Sequence, residues 1–110
     1  MTEYVLAPEQ PVETDLSMTE DLFVKWYSVP IQGTFLPQHS HSHDHVTVVA
    51  AGAIDTWAGE MPAGAHYAPS SFVVPAHQQH TFRTLLPNTV ILCCHRSDYA
   101  VEEENQLVGP

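Results

Sequence analysis

The sequence predicts an all-β fold, on the strength of its strand pattern and its composition. Short runs rich in Val, Thr, Phe and Tyr alternate with turn residues, and no window shows an apolar period of 3.6 residues. Nine prolines and only three Lys plus Arg argue against a helical bundle, whose exposed faces favour Lys, Arg and Glu. Many short strands at this spacing are typical of a sandwich or a barrel.

The predicted strands are bounded by Pro, Gly, Ser or Asn. They cover residues 22–29, 45–51, 54–57, 71–74, 79–85 and 88–95, with residues 33–35 leading toward a histidine cluster. Turns are predicted at residues 50–53, 58–60 and 62–64.

A chain of 110 residues is long enough for one hydrophobic core. Residues 1–21 are acidic and show no sustained period, so we interpret them as an arm that could add an edge strand. Residues 22–100 form the predicted barrel, and residues 101–110 are an acidic tail.

The charge balance excludes several partners. A formal net charge of −10 repels nucleic acid and anionic lipid. No run of about 20 apolar residues could span a membrane, and the N-terminus lacks the features of a secretory signal. We therefore expect a cytoplasmic protein with a small-molecule substrate or ligand. The adjacent Cys93 and Cys94 point to opposite faces of a strand, which predicts reduced thiols, and which one faces the barrel interior stays open.

Histidine is the outlier of the composition. Four of the eight histidines lie between His39 and His45. On a strand, His39 and His41 face the same side, and His45 follows after a short turn. Neutral imidazole is a good ligand for Zn, Cu, Fe and Ni, and several imidazoles converging without a metal would be costly to desolvate. The cluster therefore predicts a metal site.

The spacing around this cluster resembles the first motif of the cupin family. That motif is a glycine, five residues, His-x-His, three or four residues, a Glu, six residues and a glycine. This chain has Gly33, five residues, His39-Ser40-His41, three residues, His45, six residues and Gly52. Every spacing fits, and His45 stands where the family usually has Glu.

A second stretch resembles the second cupin motif, in which Pro-x-Gly and a His follow a glycine and an Asn comes last. Pro75 and His80 occupy their places in it. Pro69, His77 and Thr84 stand where the family usually has Gly, Gly and Asn.

The resemblance implies a double-stranded β-helix, also called a jelly-roll barrel, with one divalent metal inside near one mouth. The implied ligands are His39, His41, His45 and His80. In that family, one or two coordination positions usually stay open, which is typical of a catalytic metal. Histidine in place of Glu adds one unit of positive charge, which favours an anionic ligand and, for iron, Fe(II).

Other side chains are candidates for roles beside the metal. Phe82 shares strand parity with His80 and is predicted to line the pocket. Trp57, Phe35 and Phe72 are candidates for the same wall or for plain core.

Two further histidines, His43 and His77, are candidate general bases. His43 lies in a turn, where we expect its side chain to point to solvent. His77 replaces a turn glycine and is expected near the entrance with positive φ.

Three functions fit these features. The first is an enzyme using Fe, Mn, Ni, Zn or Cu on a small organic molecule, with Fe(II) favoured if it is a dioxygenase. The second is a non-catalytic module that binds a metal or a small ligand. The third is a structural Zn site that only holds the barrel together.

The strand at residues 45–51 also bears on assembly. If His45 points into the barrel, the outward face carries Val46, Val48 and Ala50. A strand that is apolar on both faces is usually covered on both. A second sheet, the N-terminal arm or a partner subunit could cover it, and we favour a homodimer.

Overall fold

Nine antiparallel strands form two sheets in the computed structural model, which describes residues 12–37 and 42–97. The all-β prediction is confirmed. Across these two ranges, no helix is long and apolar enough to cross a membrane. The five-stranded sheet has the order β1-β2-β9-β4-β7, and its strands are β1 (Glu13–Met18), β2 (Leu22–Val29), β4 (His45–Ala51), β7 (Ser70–Val74) and β9 (Thr89–Arg96). The four-stranded sheet has the order β3-β8-β5-β6, and its strands are β3 (Phe35–Pro37), β5 (Ala53–Ala58), β6 (Met61–Tyr67) and β8 (His80–Thr84).

Most predicted strands agree with these bounds, and one predicted turn is wrong. Strands β2 and β4 coincide with their predicted ranges. The predicted turn at residues 62–64 lies inside β6 instead. Pro62 is tolerated there because β6 is an edge strand of its sheet, where one N–H can be spared. A register shift between Thr56 and Trp57 on β5 absorbs the irregularity.

The core lies between the two sheets, and β9 shows most clearly the alternation of buried and outward-facing side chains. Along β9, every second side chain from Thr89 to His95 is buried, and the residues between them are half-buried or exposed. Cys93 is fully buried and Cys94 faces outward, which settles the orientation that the sequence left open. Residues from both sheets form the apolar cluster: Tyr27, Val29, Leu36, Val49, Ile54, Val74, Phe82, Ile91 and Cys93.

Gly52 joins the two sheets through the tight turn between β4 and β5. Its φ of +75° lies in the left-handed region that favours glycine. A Cβ at this position would lie 2.8 Å from the Cα of Thr89. Thr89 Oγ1 in turn accepts a hydrogen bond from the Ala53 N–H at 3.3 Å. Only glycine lets the backbone at position 52 approach Thr89 this closely. The tight turn sends β4 and β5 into opposite sheets.

The outer face of the five-stranded sheet is apolar across four strands. Directly paired residues on antiparallel strands share a face, and Val46 pairs with both Cys94 and Val73. Val46 is 40% exposed and Val73 is 61% exposed. We call this surface the outer apolar face; it consists of Val24, Trp26, Val46, Val48, Val73, Leu92 and Cys94.

Candidate metal and ligand site

Four buried histidines occur in the described part of the chain. His45 and His80 form one pair, with ring centroids 5.2 Å apart. His43 and His95 form a second pair, with centroids 4.8 Å apart. Four imidazoles are seldom buried so close together without a structural or chemical role. The end of the barrel that holds these two pairs is therefore the candidate site.

The His45–His80 pair joins the two sheets inside the barrel. His45 begins β4 of the five-stranded sheet, and His80 begins β8 of the four-stranded sheet. The two side chains are 3% and 4% exposed, respectively. Their rings are tilted by 52°, so they converge rather than stack. Neither sheet alone could bring the two imidazoles together.

The backbone orients the His80 ring. Its Nδ1 lies 3.1 Å from the carbonyl oxygen of Gln78. Because a carbonyl only accepts hydrogen bonds, Nδ1 is the protonated nitrogen that donates, and Nε2 carries the lone pair. Metal-ligating histidines typically show this arrangement, with one ring N–H held by a carbonyl or a carboxylate and the other nitrogen facing the metal.

The other two predicted ligands, His39 and His41, lie outside the described residues. The described residues by themselves contain no group of three or more His, Cys, Asp or Glu side chains that could hold a metal. The donor type at His45 and His80 suits a divalent transition metal. The four-histidine site remains a prediction, and the structure describes two of its four predicted ligands.

His43 is buried, so the expectation that it points to solvent is wrong. Only 5% of it is exposed, and its ring meets His95 edge to face. The next residue explains this orientation, because the Asp44 carboxylate accepts a 2.7 Å hydrogen bond from the Ala76 N–H. The bond holds the turn before β4 against the loop after β7.

His95 completes this second pair from β9. Its ring stacks on Phe23, with centroids 4.5 Å apart and planes 13° apart. Its Nδ1 lies 2.7 Å from the carbonyl oxygen of Arg96 and therefore donates to it. An open cleft of about 380 Å³ lies outside this pair and is lined by Ser42, His43, Asp44, Ala76 and Arg96.

A second, more apolar cavity of about 280 Å³ opens beside His80. Aromatic rings form much of its wall, and Phe72 meets Phe82 edge to face at 5.9 Å. Among the described residues, the lining carries no Lys, Arg, Asp or Glu side chain. The lining residues are Thr56, Trp57, Ala58, Ala63, His66, Phe72, Val73, Val74, Pro75, Gln78, His80 and Phe82.

The predicted pocket residues take different places around this cavity. Phe82 and Trp57 both line it. Phe35 lies against Trp57, with ring centroids 6.1 Å apart, and is not among the lining residues. The Arg83 guanidinium covers Phe35 at 5.5 Å from its ring centroid. His77 is exposed in the turn before β8, with the positive φ that was expected (+65°), and also lies outside the lining.

Phe72, a candidate for this wall or for plain core, does line the cavity. His66 also lines it, although it was expected at the surface or in a structural hydrogen bond. Their rings stack with centroids 4.0 Å apart and planes 19° apart. His66 lies on β6 and Phe72 on β7, which belong to different sheets. No sequence spacing relates them. The one available signal was strand parity along residues 61–67, and the predicted turn at 62–64 obscured it.

Comparison with known proteins supports the fold. No family model matches the sequence, and no curated protein matches it. Solved structures do match. KdgF from a Halomonas species is 19% identical with a TM-score of 0.66, and the match covers 86% of this chain and 89% of that one. A cupin superfamily protein from Desulfitobacterium hafniense is 14% identical with a TM-score of 0.67, covering 84% and 83%.

A third neighbour is larger. The DMSP lyase DddQ from Ruegeria pomeroyi is 17% identical with a TM-score of 0.66, and the match covers 79% of this chain and 47% of that chain. The present chain thus corresponds to about half of DddQ.

Two facing antiparallel sheets around an internal cavity define this chain as a small single-domain β-barrel. Its fold matches that of solved cupin structures, as the resemblance to the two sequence motifs predicted.

Proposed function

We propose that this chain is a cytoplasmic, metal-dependent cupin that acts on a small organic substrate. In this proposal, His39, His41, His45 and His80 hold one divalent transition metal. The observation that carries it is the convergence of His45 and His80 from opposite sheets, both buried, with ring centroids 5.2 Å apart. The His80 ring supports it further, because its Nδ1 is held by the Gln78 carbonyl.

The chain's own residues suggest how such a site would work. When bound, the metal would supply Lewis-acid polarisation of a substrate oxygen or, as Fe(II), activation of O2. Four neutral imidazoles leave its charge uncompensated, which favours an anionic substrate oxygen beside it. Phe82 and Trp57 line the adjoining cavity and would exclude water from the reacting group.

Few residues near the cavity are candidates for proton transfer. The described lining of the cavity contains no carboxylate and no lysine, so a general base would have to be a histidine. His43 is buried two residues before His45, and His77 stands exposed in the neighbouring turn. They remain the proposed candidates.

The same lack of charged groups favours a second candidate, a non-catalytic module that binds a metal or a small ligand. The fold comparison favours the enzyme. One neighbour, DddQ, is a DMSP lyase, so a barrel of this shape supports a reaction on a small molecule. We therefore place the enzyme first.

The proposed function is tested by elemental analysis of protein purified from its own host without added metal. We expect about one transition-metal ion per chain. The ion is then removed with a chelator, Fe(II) is loaded without oxygen, and O2 is added with a phenol or a 1,3-diketone. We expect consumption of the organic compound only by the loaded protein.

Three results would overturn the proposal in different ways. Protein that purifies and reloads with no metal would exclude a metal site. A loaded protein that binds small molecules but converts none, with Fe, Mn, Ni, Zn or Cu, would establish the binding module. Unfolding on chelation, together with no access of azide to the bound metal, would establish a structural site.

We also propose that two copies of this chain pair through the outer apolar face. The seven residues of this surface are uncharged, whereas the chain as a whole has a net charge of −10. Asp15 on β1 pairs with Trp26 and places a carboxylate at the edge of this surface. Two copies with the same net charge repel least where the uncharged centre of this surface meets its counterpart, away from Asp15. Val46 and Val73 are exposed at this surface, and burying them against a second copy would remove apolar area from water.

A further inference from the structure

The wall formed by His66 and Phe72 places an imidazole at the cavity, on a different strand from the His45–His80 pair. The His66 ring lies flat against Phe72, which fixes its plane. Among the described residues, no side chain or backbone group hydrogen-bonds to this imidazole. His66 is also only half-buried, so its ring edge remains available to a molecule in the cavity.

Strand register separates His66 from His80. Both residues flank β5, where His66 pairs with Ile54 and His80 pairs with Ala58. Four residues along a strand span about 13 Å between backbone positions. The side chains extend into the same cavity, so they mark its two ends. An occupant lying along β5 would meet one imidazole at each end.

The space between the two ends selects for a small, flat and largely apolar molecule. The cavity volume of about 280 Å³ is at the lower limit of pockets that take drug-sized ligands. Phe72 and Phe82 present aromatic surface to it. A ring or conjugated system stacks well on such walls.

The charge of the lining and of the chain excludes ligands that carry several negative charges. The described lining offers no Lys or Arg to a phosphate or a polycarboxylate, and the chain carries a net charge of −10. A single acidic oxygen could be accommodated at the metal end, whereas further negative charges would be buried without partners.

We propose that the cavity binds a small aromatic or conjugated molecule with a weakly acidic oxygen at the His80 end and a hydroxyl or carbonyl group at the His66 end. His66 is then a specificity-determining residue that hydrogen-bonds the distal polar group. This inference deepens the proposed function, because it takes the occupant of the cavity to be the substrate.

A matched pair of probes tests the role of His66. 4-Hydroxybenzyl alcohol and 4-ethylphenol are similar in size and differ in whether the distal substituent ends in a hydroxyl or a methyl group. Binding is measured by calorimetry on metal-free protein.

Four variants separate hydrogen bonding from packing. His66→Phe keeps a flat ring against Phe72. It should lower the affinity for 4-hydroxybenzyl alcohol about threefold to tenfold and leave the affinity for 4-ethylphenol unchanged. His66→Gln should restore most of the lost affinity. Tyr67 is a neighbouring exposed residue of β6, and Tyr67→Leu should change the dissociation constant of neither probe. Phe72→Leu should lower the affinity for both probes to the same extent.

The contradicting results are equally specific. If His66→Phe weakens both probes equally, or neither, His66 makes no specific polar contact. If citrate or galacturonate binds more tightly than either phenol, the proposed class of occupant is wrong. Because these titrations use metal-free protein, phenol binding in a protein that never takes up metal would refute the proposed function and leave the ligand class intact.

Discussion

His45 and His80 begin strands of opposite sheets, yet their imidazole centroids lie 5.2 Å apart inside the barrel. Thirty-four residues of intervening chain, residues 46–79, separate them in the sequence. The sharp turn at Gly52 sends β5 into the second sheet, and β8 then pairs with β5. The convergence of the two histidines is therefore a consequence of the barrel topology.

The Gly52 turn gives the first prediction. Gly52→Ala puts an alanine into the left-handed backbone conformation and places its Cβ 2.8 Å from the Thr89 Cα. We therefore expect the free energy of unfolding to fall by about 3 kcal/mol or more. Gly59→Ala is the matched control, since Gly59 also has positive φ but a Cβ there meets nothing within 4 Å. It should cost about 1 kcal/mol. Urea unfolding measures both, and equal losses would refute the close-contact explanation.

Local spacing explains how much of this site could be predicted. His45 and Gly52 lie on one strand and in the turn that follows it, where strand period and turn geometry are read directly from the sequence. Phe82 follows from its parity with His80. The position of His80 itself came from the resemblance to a motif, because strand parity alone does not say which sheets face each other.

The failures share one physical cause. His66 reaches the cavity by stacking on Phe72 across two sheets, and Pro62 is accepted only because β6 lies at an edge. His43 is buried because Asp44 binds the loop after β7. Each depends on contacts between segments far apart in sequence, which neither propensity nor period encodes.

The outer apolar face gives the second prediction. In the double variant Val46→Lys, Val73→Lys, two desolvated charges would oppose association, so we expect a monomer where the unmodified chain is a dimer. Met61→Lys is the control, because Met61 is 70% exposed on β6, away from this face. Light scattering coupled to gel filtration measures the mass. A monomeric unmodified chain, or a dimer that survives both lysines, would contradict the proposed interface.

The two cysteines give the third prediction. Burial raises the pKa of the Cys94 thiol above its ordinary value, so less thiolate is present at a given pH. At pH 8, we expect Cys94 to react with iodoacetamide severalfold more slowly than glutathione does. Cys93 is fully buried and should react only after unfolding. Mass spectrometry of the single variants Cys93→Ala and Cys94→Ala assigns the two rates, and a Cys93 that reacts first would contradict the strand orientation.

His45 and His80 are proposed to hold a metal together, and metal content tests this most directly. The unmodified chain, His45→Ala and His80→Ala are loaded identically, desalted and measured by elemental analysis, with His66→Ala as the control. We predict about one ion per chain in the unmodified protein and the control, and severe loss in the other two. Equal retention of metal in all four proteins would contradict the account.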